Sequence, residues 1–415
     1  MANILPSAIN KGTIRSNGQR YSISSDTNGF LTVGKNDTFS NFNTADYAND
    51  SACIQAGLDM ATTSGKNLLI QSGNYTITTS LLVLDKSDFT ITGERGTKLS
   101  IRLTTIPAVL NPNVTSLGGY NSGIYLRRCT NFEINNLDID TRDNVSVVPP
   151  SFGIRIDACK NGYVSKISGV FRHFGIFTDS NGPETADTIY IRDCILTGSG
   201  NADIIGGGPQ NSSGTCNVRN IFIEYNTLKH DLTSPFNTSG YPICIDLVRV
   251  DEISMNNNHI YGLIAFGSEQ FPNIYSTISN NIIKKAIGGN SSGILHITTA
   301  AATANNGGGY FIISDNVIFD GLIEVTGTST ANTEDVIVCN NICNQIIIDR
   351  VSRAIVSNNI IKRALSYTTG IIVASSSNSL FTGNLISNFT NGITNTGTGN
   401  SFFSNKYVSV LNNTL

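Results

Sequence analysis

The chain has 415 residues, a length that ordinarily means two or three domains, and its 40 % hydrophobic content is enough for a large core. The 27 Lys and Arg against 30 Asp and Glu leave a net charge of −3, and only 14 % of residues are charged. This removes the basic footprint of a nucleic-acid or anionic-membrane binder. No segment approaches ~18 consecutive apolar residues, so membrane insertion is not expected, and Met1 to Asn10 has neither a cationic start nor a long apolar block, so a secretion signal is not expected either.

In chain order, residues 1–40 share no pattern with the rest of the chain. Gly18, Asn28, Gly29 and Gly34 punctuate short β segments there, which predicts a small N-terminal β module or arm. The remaining 41–415 is expected to form one unit. The stretch Asn49 to Thr62 places Ala52, Ile54, Leu58 and Ala61 close to one face, with Asp50 or Ser51 as N-cap and Gly65 past the end, which predicts a helix. A strand is expected over Leu68 to Ile77.

Beyond these elements the chain is a repeat. Eight hexads of the form apolar, x, x, Asn, x, apolar carry Asn226, Asn258, Asn281, Asn316, Asn341, Asn359, Asn384 and Asn405, and the connections between them vary in length. Each reads as two short strands meeting at a bend, with the Asn in the left-handed conformation and its amide bonded to the Asn of the next coil. Between hexads lies a further apolar run, often opened by Gly, as in GIYL from Gly123, GIRI from Gly153, GIFT from Gly175 and GIIV from Gly370. Three short strands per period cannot bury their own apolar side, whereas stacked coils can.

This pattern, over about Asp50 to Tyr407, resembles the right-handed parallel β-helix of the pectate-lyase-like superfamily. The implied fold is all-β and single-stranded, with three short strands in each of roughly ten to twelve coils and an N-terminal capping helix. The order of helix and then Gly-x-Tyr-x-Ile strand is similar to the cap common in phage tailspike polysaccharide depolymerases. That likeness implies a virion (phage tail) or extracellular location and a homotrimer.

In such a solenoid, outward side chains at matched positions stack about 4.8 Å apart. Aligning GIYLR, GIRID, GIFTD and PICID puts Arg127, Asp157, Asp179 and Asp246 in one exposed column, with Asp203 of ADIIG nearby. Crowded carboxyls raise one another's pKa, which suits a general acid. Spacings of about one or two coils span the separations used by retaining and inverting glycosidases, and inversion is favoured here. The competing reading leaves these residues as solvated Asp paired with arginine. Arg127, Arg155, Arg172, His173, His230, Tyr125, Phe177 and Glu269 flank the strip as candidate substrate-binding groups. Asp179, Asp203 and His230 also follow the order of acidic and histidine residues in polygalacturonases, though Phe177 and Ala202 replace two family residues.

The expected activity is hydrolysis of a bacterial surface polysaccharide by paired Asp carboxylates. A lyase or epimerase on uronic acid polymers, using the arginines and His173, is the second possibility, and a non-catalytic glycan-binding adhesin the third. No cofactor or metal is expected. Cys339 and Cys343 have no partner pair for zinc, and the eight scattered cysteines read as reduced thiols.

Overall fold

A computed structural model describes residues 22–25, 30–34, 49–105, 122–142, 152–180, 185–198, 202–207, 218–234, 242–248, 250–268, 275–290, 292–298, 309–327, 333–364 and 367–412. One coil shows the plan. Lys160–Ser165, Ser168–Phe171 and Phe174–Asp179 succeed one another as three short strands, and each pairs in parallel with its counterparts in the coils before and after. Among the described residues the three positions build sheets of 16, 13 and 12 strands. They are termed here the side, back and front sheets. The molecule is a right-handed parallel β-helix.

Isoleucine sets the register. In the front sheet Ile124, Ile154, Ile176, Ile204 and Ile245 pair in succession. All are buried in one core that runs from Leu31 to Ile393. A β-branched side chain fits a pleated surface on which the same position recurs one strand away. Slipping one residue would turn the whole row to solvent.

The asparagine ladder forms at the corner between side and back sheets. The Asn226 Nδ2 donates to Oδ1 of Asn258 at 3.0 Å, and the contact repeats through Asn281, Asn316, Asn341, Asn359, Asn384 and Asn405 at 2.9 to 3.0 Å. The same Oδ1 accepts the backbone N–H of the preceding ladder residue, and Nδ2 also reaches a carbonyl such as that of Ile191. The donors and acceptor of each inner amide are thereby satisfied without water. The left-handed conformation falls one residue earlier than expected, on Tyr225, Asn257, Asn280, Asp315, Asn340, Asn358, Gly383 and Ser404. Those eight positions face solvent, whereas the ladder Asn must turn inward to reach its neighbour.

The predicted helix spans Asp50–Ser64 and ends on Gly65 with φ 65°. Its N-cap is Asn49, whose side chain accepts from Ala52 N–H at 3.0 Å, rather than Asp50 or Ser51. Those two reach sideways instead: Asp50 Oδ2 accepts from Thr76 N–H at 2.6 Å and Ser51 Oγ from Thr78 N–H at 2.7 Å. They thereby close the exposed edge of Gly73–Thr79. The single strand expected over Leu68 to Ile77 is two, Asn67–Ile70 in the side sheet and Gly73–Thr79 in the back sheet. Within the N-terminal region, Phe30–Gly34 pairs in parallel with Asn67–Ile70 and extends the side sheet.

Replacing a ladder residue leaves buried partners on both sides unpaired. Asn316→Ala should lower unfolding free energy by about 3 kcal/mol in guanidinium titration. Asn405→Ala, at the end of the ladder and partly exposed, should cost less than half as much. Equal losses at the two sites would contradict a cooperative ladder.

Candidate functional site

The outer face of the front sheet carries the charged cluster. Parallel pairing sets Arg127, Asp157 and Asp179 in one column and Tyr125, Arg155 and Phe177 in the adjacent one, two residues earlier in each strand. These six candidates come together because Ile124, Ile154 and Ile176 take the inner row and leave every second residue outside.

The two carboxylates are held differently. Asp157 Oδ2 accepts from the Tyr125 hydroxyl at 2.7 Å and lies 3.8 Å from Arg127 Nε. Asp179 Oδ2 accepts from Arg155 Nη2 at 2.8 Å, and its Oδ1 accepts from the Ser180 N–H at 2.7 Å. Burial pushes Asp179 up to about 6; Arg155 opposes the rise, and the Asp157 charge on the neighbouring coil adds to it. Burial, then Asp157, raises Tyr125. The strip is not the exposed stripe expected: Asp157 and Asp179 are each 2 % accessible and Arg155 is fully buried.

Aromatic rings explain how a guanidinium is accommodated there. Phe152 stacks on Phe174 at 5.1 Å and on Phe177 at 4.9 Å between ring centroids. The Arg155 guanidinium sits 5.4 to 5.7 Å from the rings of Phe177, Tyr125 and Phe152, a cation–π arrangement strengthened by desolvation. Phe152 and Phe174 escaped the sequence reading. Their signal is the residue before Gly in two successive repeats, and with Phe177 they form a cluster apart from the main core.

Asp246 belongs to the same face but not to the Asp157–Asp179 column. It pairs with Ile205, and Ile205 with Phe177, which puts Asp246 in the Arg155 column, two coils beyond Phe177. The alignment of PICID with GIFTD is corrected by two residues, because Ile245 and Leu247 both occupy the core. Asp246 is partly exposed. Burial alone pushes it up to about 6, and it meets no cation or hydrogen-bond donor among the described residues.

Asp203 leaves the strip altogether. Ile204 fills the isoleucine row, so Asp203 takes the place that Gly175 holds one coil earlier and points into the solenoid. At Gly175 a Cβ would meet the Asp203 carbonyl oxygen at 2.4 Å, and at Gly198 it would meet Asp203 Oδ1 at 1.9 Å. Gly198 makes the space for the carboxyl, and Gly175 for the close approach of the backbone. Asp203 is 0 % accessible, and among the described residues neither carboxyl oxygen meets a donor in bonding geometry. Burial pushes it well above the carboxylate range and, together with Asp203, raises the neighbouring Cys244 thiol.

His230 is likewise interior, paired with Gly198 in the back sheet, with neither ring nitrogen in bonding geometry with a partner among the described residues and its pKa lowered by burial. Arg172 and His173 occupy the turn that enters Phe174–Asp179. They lie about 17 Å or more along the strand from Asp179. Burial and then Arg172 lower the His173 pKa. The structure therefore does not bring His230, Arg172 or His173 to the carboxylates. Glu269 lies outside the described residues.

No family model matches the chain, and no curated protein matches it in sequence. Among solved structures it is similar to PfbA, a surface adhesin of Streptococcus pneumoniae, at 12 % identity and TM-score 0.56, covering 87 % of this chain and 88 % of that one. It is similar to the Agl-KA catalytic domain at 13 % identity and TM-score 0.55, covering 93 % and 69 %. A mutant tailspike protein of E. coli bacteriophage HK620 in complex with a pentasaccharide matches at 11 % identity and TM-score 0.50, covering 87 % and 74 %. At these identities the likeness is one of fold.

The interior position of Asp203 has a measurable signature. Its pKa is raised on folding, so the folded state holds a proton that the unfolded state releases above about pH 4, and stability falls as pH rises. Asp203→Asn should remove this slope, of at most about 1.4 kcal/mol per pH unit. The variant's advantage in chemical unfolding should widen from pH 4 to pH 7. A variant less stable than the parent at pH 7 would contradict a carboxyl whose burial outweighs the Cys244 thiol and the Gly198 and Lys229 N–H groups that oppose it.

Proposed function

We propose that the protein is a glycoside hydrolase that cleaves a bacterial surface polysaccharide, with Asp246 as general acid and Asp179 as the base that activates water. The observation that carries this reading is a pair of carboxyls on one sheet face, both pushed up to about 6 yet partnered in opposite ways. Asp246 has no cation beside it among the described residues and keeps its proton for a leaving-group oxygen. Asp179 is oriented by Arg155 and the Ser180 N–H, which favour its ionised form.

Two coils separate them, about 9.6 Å along the axis, with a two-residue offset along the strand. That spacing far exceeds the ~5 to 5.5 Å of a retaining pair, which favours the inverting arrangement, in which a water stands between the two carboxyls. Asp157 lies only one coil from Asp179, but its oxygen is committed to Tyr125 and Arg127. We assign it to positioning and to raising the Asp179 pKa. Arg155 is taken up by Asp179 and the aromatic rings, which weighs against the uronate-binding role that a lyase or epimerase would ask of it. We extend the proposal to a virion or extracellular location and a homotrimer, supported by the fold likeness to a phage tailspike. The adhesin with the same fold supplies the competing reading, in which glycan is held and not cut.

Incubation with a panel of bacterial surface polysaccharides, following reducing ends and ultraviolet absorbance together, tests the assignment. Reducing ends should appear without the absorbance of an unsaturated product. Asp179→Asn and Asp246→Asn should each lower the rate by about 10²- to 10⁴-fold while thermal melting stays cooperative. Binding without cleavage by the parent protein would favour the adhesin.

The pH dependence comes from the same pair. Activity should rise as Asp179 loses its proton and fall as Asp246 loses its own, giving a narrow bell centred near pH 6. A rate that climbs steadily to pH 9 would contradict these roles.

A further inference from the structure

The side sheet carries a second outward column that the carboxylate chemistry does not use. Register aligns Glu133, Tyr163, Tyr190 and Phe222 on consecutive coils. Tyr163 and Tyr190 stack at 4.6 Å with planes 5° apart, and Tyr190 and Phe222 at 4.5 Å with planes 11° apart. These rings repeat at the rung spacing, so each inner face is covered by the next ring. The series breaks at Glu133. Tyr163, 44 % exposed, therefore turns an unstacked face toward the coil where a further ring would sit.

That position opens on a groove of about 360 Å³, lined by Tyr163, Glu133, Asn131, Asp88, Thr90 and Asn67 among others. Its volume lies in the range of small-ligand clefts. The rim is held in place. Asn135 Nδ2 donates to Glu133 Oε1 at 2.8 Å and draws the carboxylate toward the next column. On the other flank, Asn131 Nδ2 donates to Asp88 Oδ1 at 2.9 Å and Asn161 Nδ2 to Asn131 Oδ1 at 3.1 Å. Acceptors dominate, and the fixed charges beside the ring are negative.

The geometry points to a glycan-binding subsite on the side sheet, in which a neutral pyranose stacks on the open face of Tyr163 and its hydroxyls donate to Glu133, Asp88 and the flanking amides. The stack supplies a flat apolar surface at the spacing of an absent ring, and the carboxylates reject uronic or sulfated sugars. The site lies on a different sheet from Asp179 and Asp246, and it stands whether or not those residues cleave anything.

The test uses the full chain carrying Asp179→Asn and Asp246→Asn, so that no sugar is consumed. Neutral hexasaccharides of glucose, galactose and mannose, with a galacturonate hexasaccharide alongside, are titrated by calorimetry and by saturation-transfer NMR. At least one neutral sugar should bind, and the galacturonate should not bind at this site. Tyr163→Ala should weaken binding about tenfold, Tyr163→Phe should retain it, and Glu133→Gln should weaken the neutral sugar while admitting the acidic one. The proposal is overturned if no neutral sugar binds at millimolar concentration, or if binding ignores Tyr163→Ala. It is equally overturned if Tyr163→Ala changes only the oligomeric state in analytical ultracentrifugation, since the face is then a contact between copies. Should Tyr163→Ala fail to fold, Tyr163→Phe and Glu133→Gln still decide it: a neutral sugar indifferent to Glu133→Gln rejects the site.

Discussion

Coil stacking at about 4.8 Å governs this molecule, because it converts sequence position into a column of touching side chains. A column tolerates only what can sit on a copy of itself or on a complementary neighbour. Isoleucine meets that condition inside the solenoid, amide on amide meets it at the corner, and ring on ring meets it outside. A carboxylate does not, since its neighbour repels it. Where Asp157 and Asp179 stack, the strain is relieved by Arg127, Arg155 and Tyr125 from flanking positions.

The same constraint separates chemistry from structure over a single residue. Asp203 and Asp246 occupy adjacent coils of the front sheet, one immediately before its core isoleucine and the other immediately after. The first is turned inside against Gly198, which makes room for it, and the second stands on the outer face with no cation beside it among the described residues. Burial raises both pKa values, yet only the carboxyl on the outer face can deliver its proton to a ligand. A perturbed pKa thus marks a functional group only when the register also gives it an exit.

Much of the architecture was legible because the hexads state it directly: an inward Asn flanked by apolar residues has one satisfactory partner, the Asn of the next coil. The column joining Arg127, Asp157 and Asp179 was legible too, since GIYLR, GIRID and GIFTD align without choice. The alignment of ICIDLV was not, because Ile243, Ile245 and Leu247 alternate and admit two registers two residues apart. ADIIG misled for a different reason: Asp203 replaces a glycine of the column, and the space opposite is made by Gly198, distant in pattern though near in the fold. Nor does strand periodicity say what covers an outer face, so the burial of Asp157 and Asp179 could not be read from it. The aromatic column was readable in TNFEI, KNGYV, TIYIR and IFIE, whose matched positions hold Glu133, Tyr163, Tyr190 and Phe222, but it lay away from the strand carrying the acids.

The central claim is that register alone gives this protein two proton-exchanging carboxyls on one face. Carbon-13 NMR titration of the aspartate carboxyls, with resonances assigned through Asp179→Asn and Asp246→Asn, measures this most directly. The account predicts two outer-face carboxyls titrating near pH 6, one disappearing in each variant. Ordinary titration of both near pH 4 would contradict it.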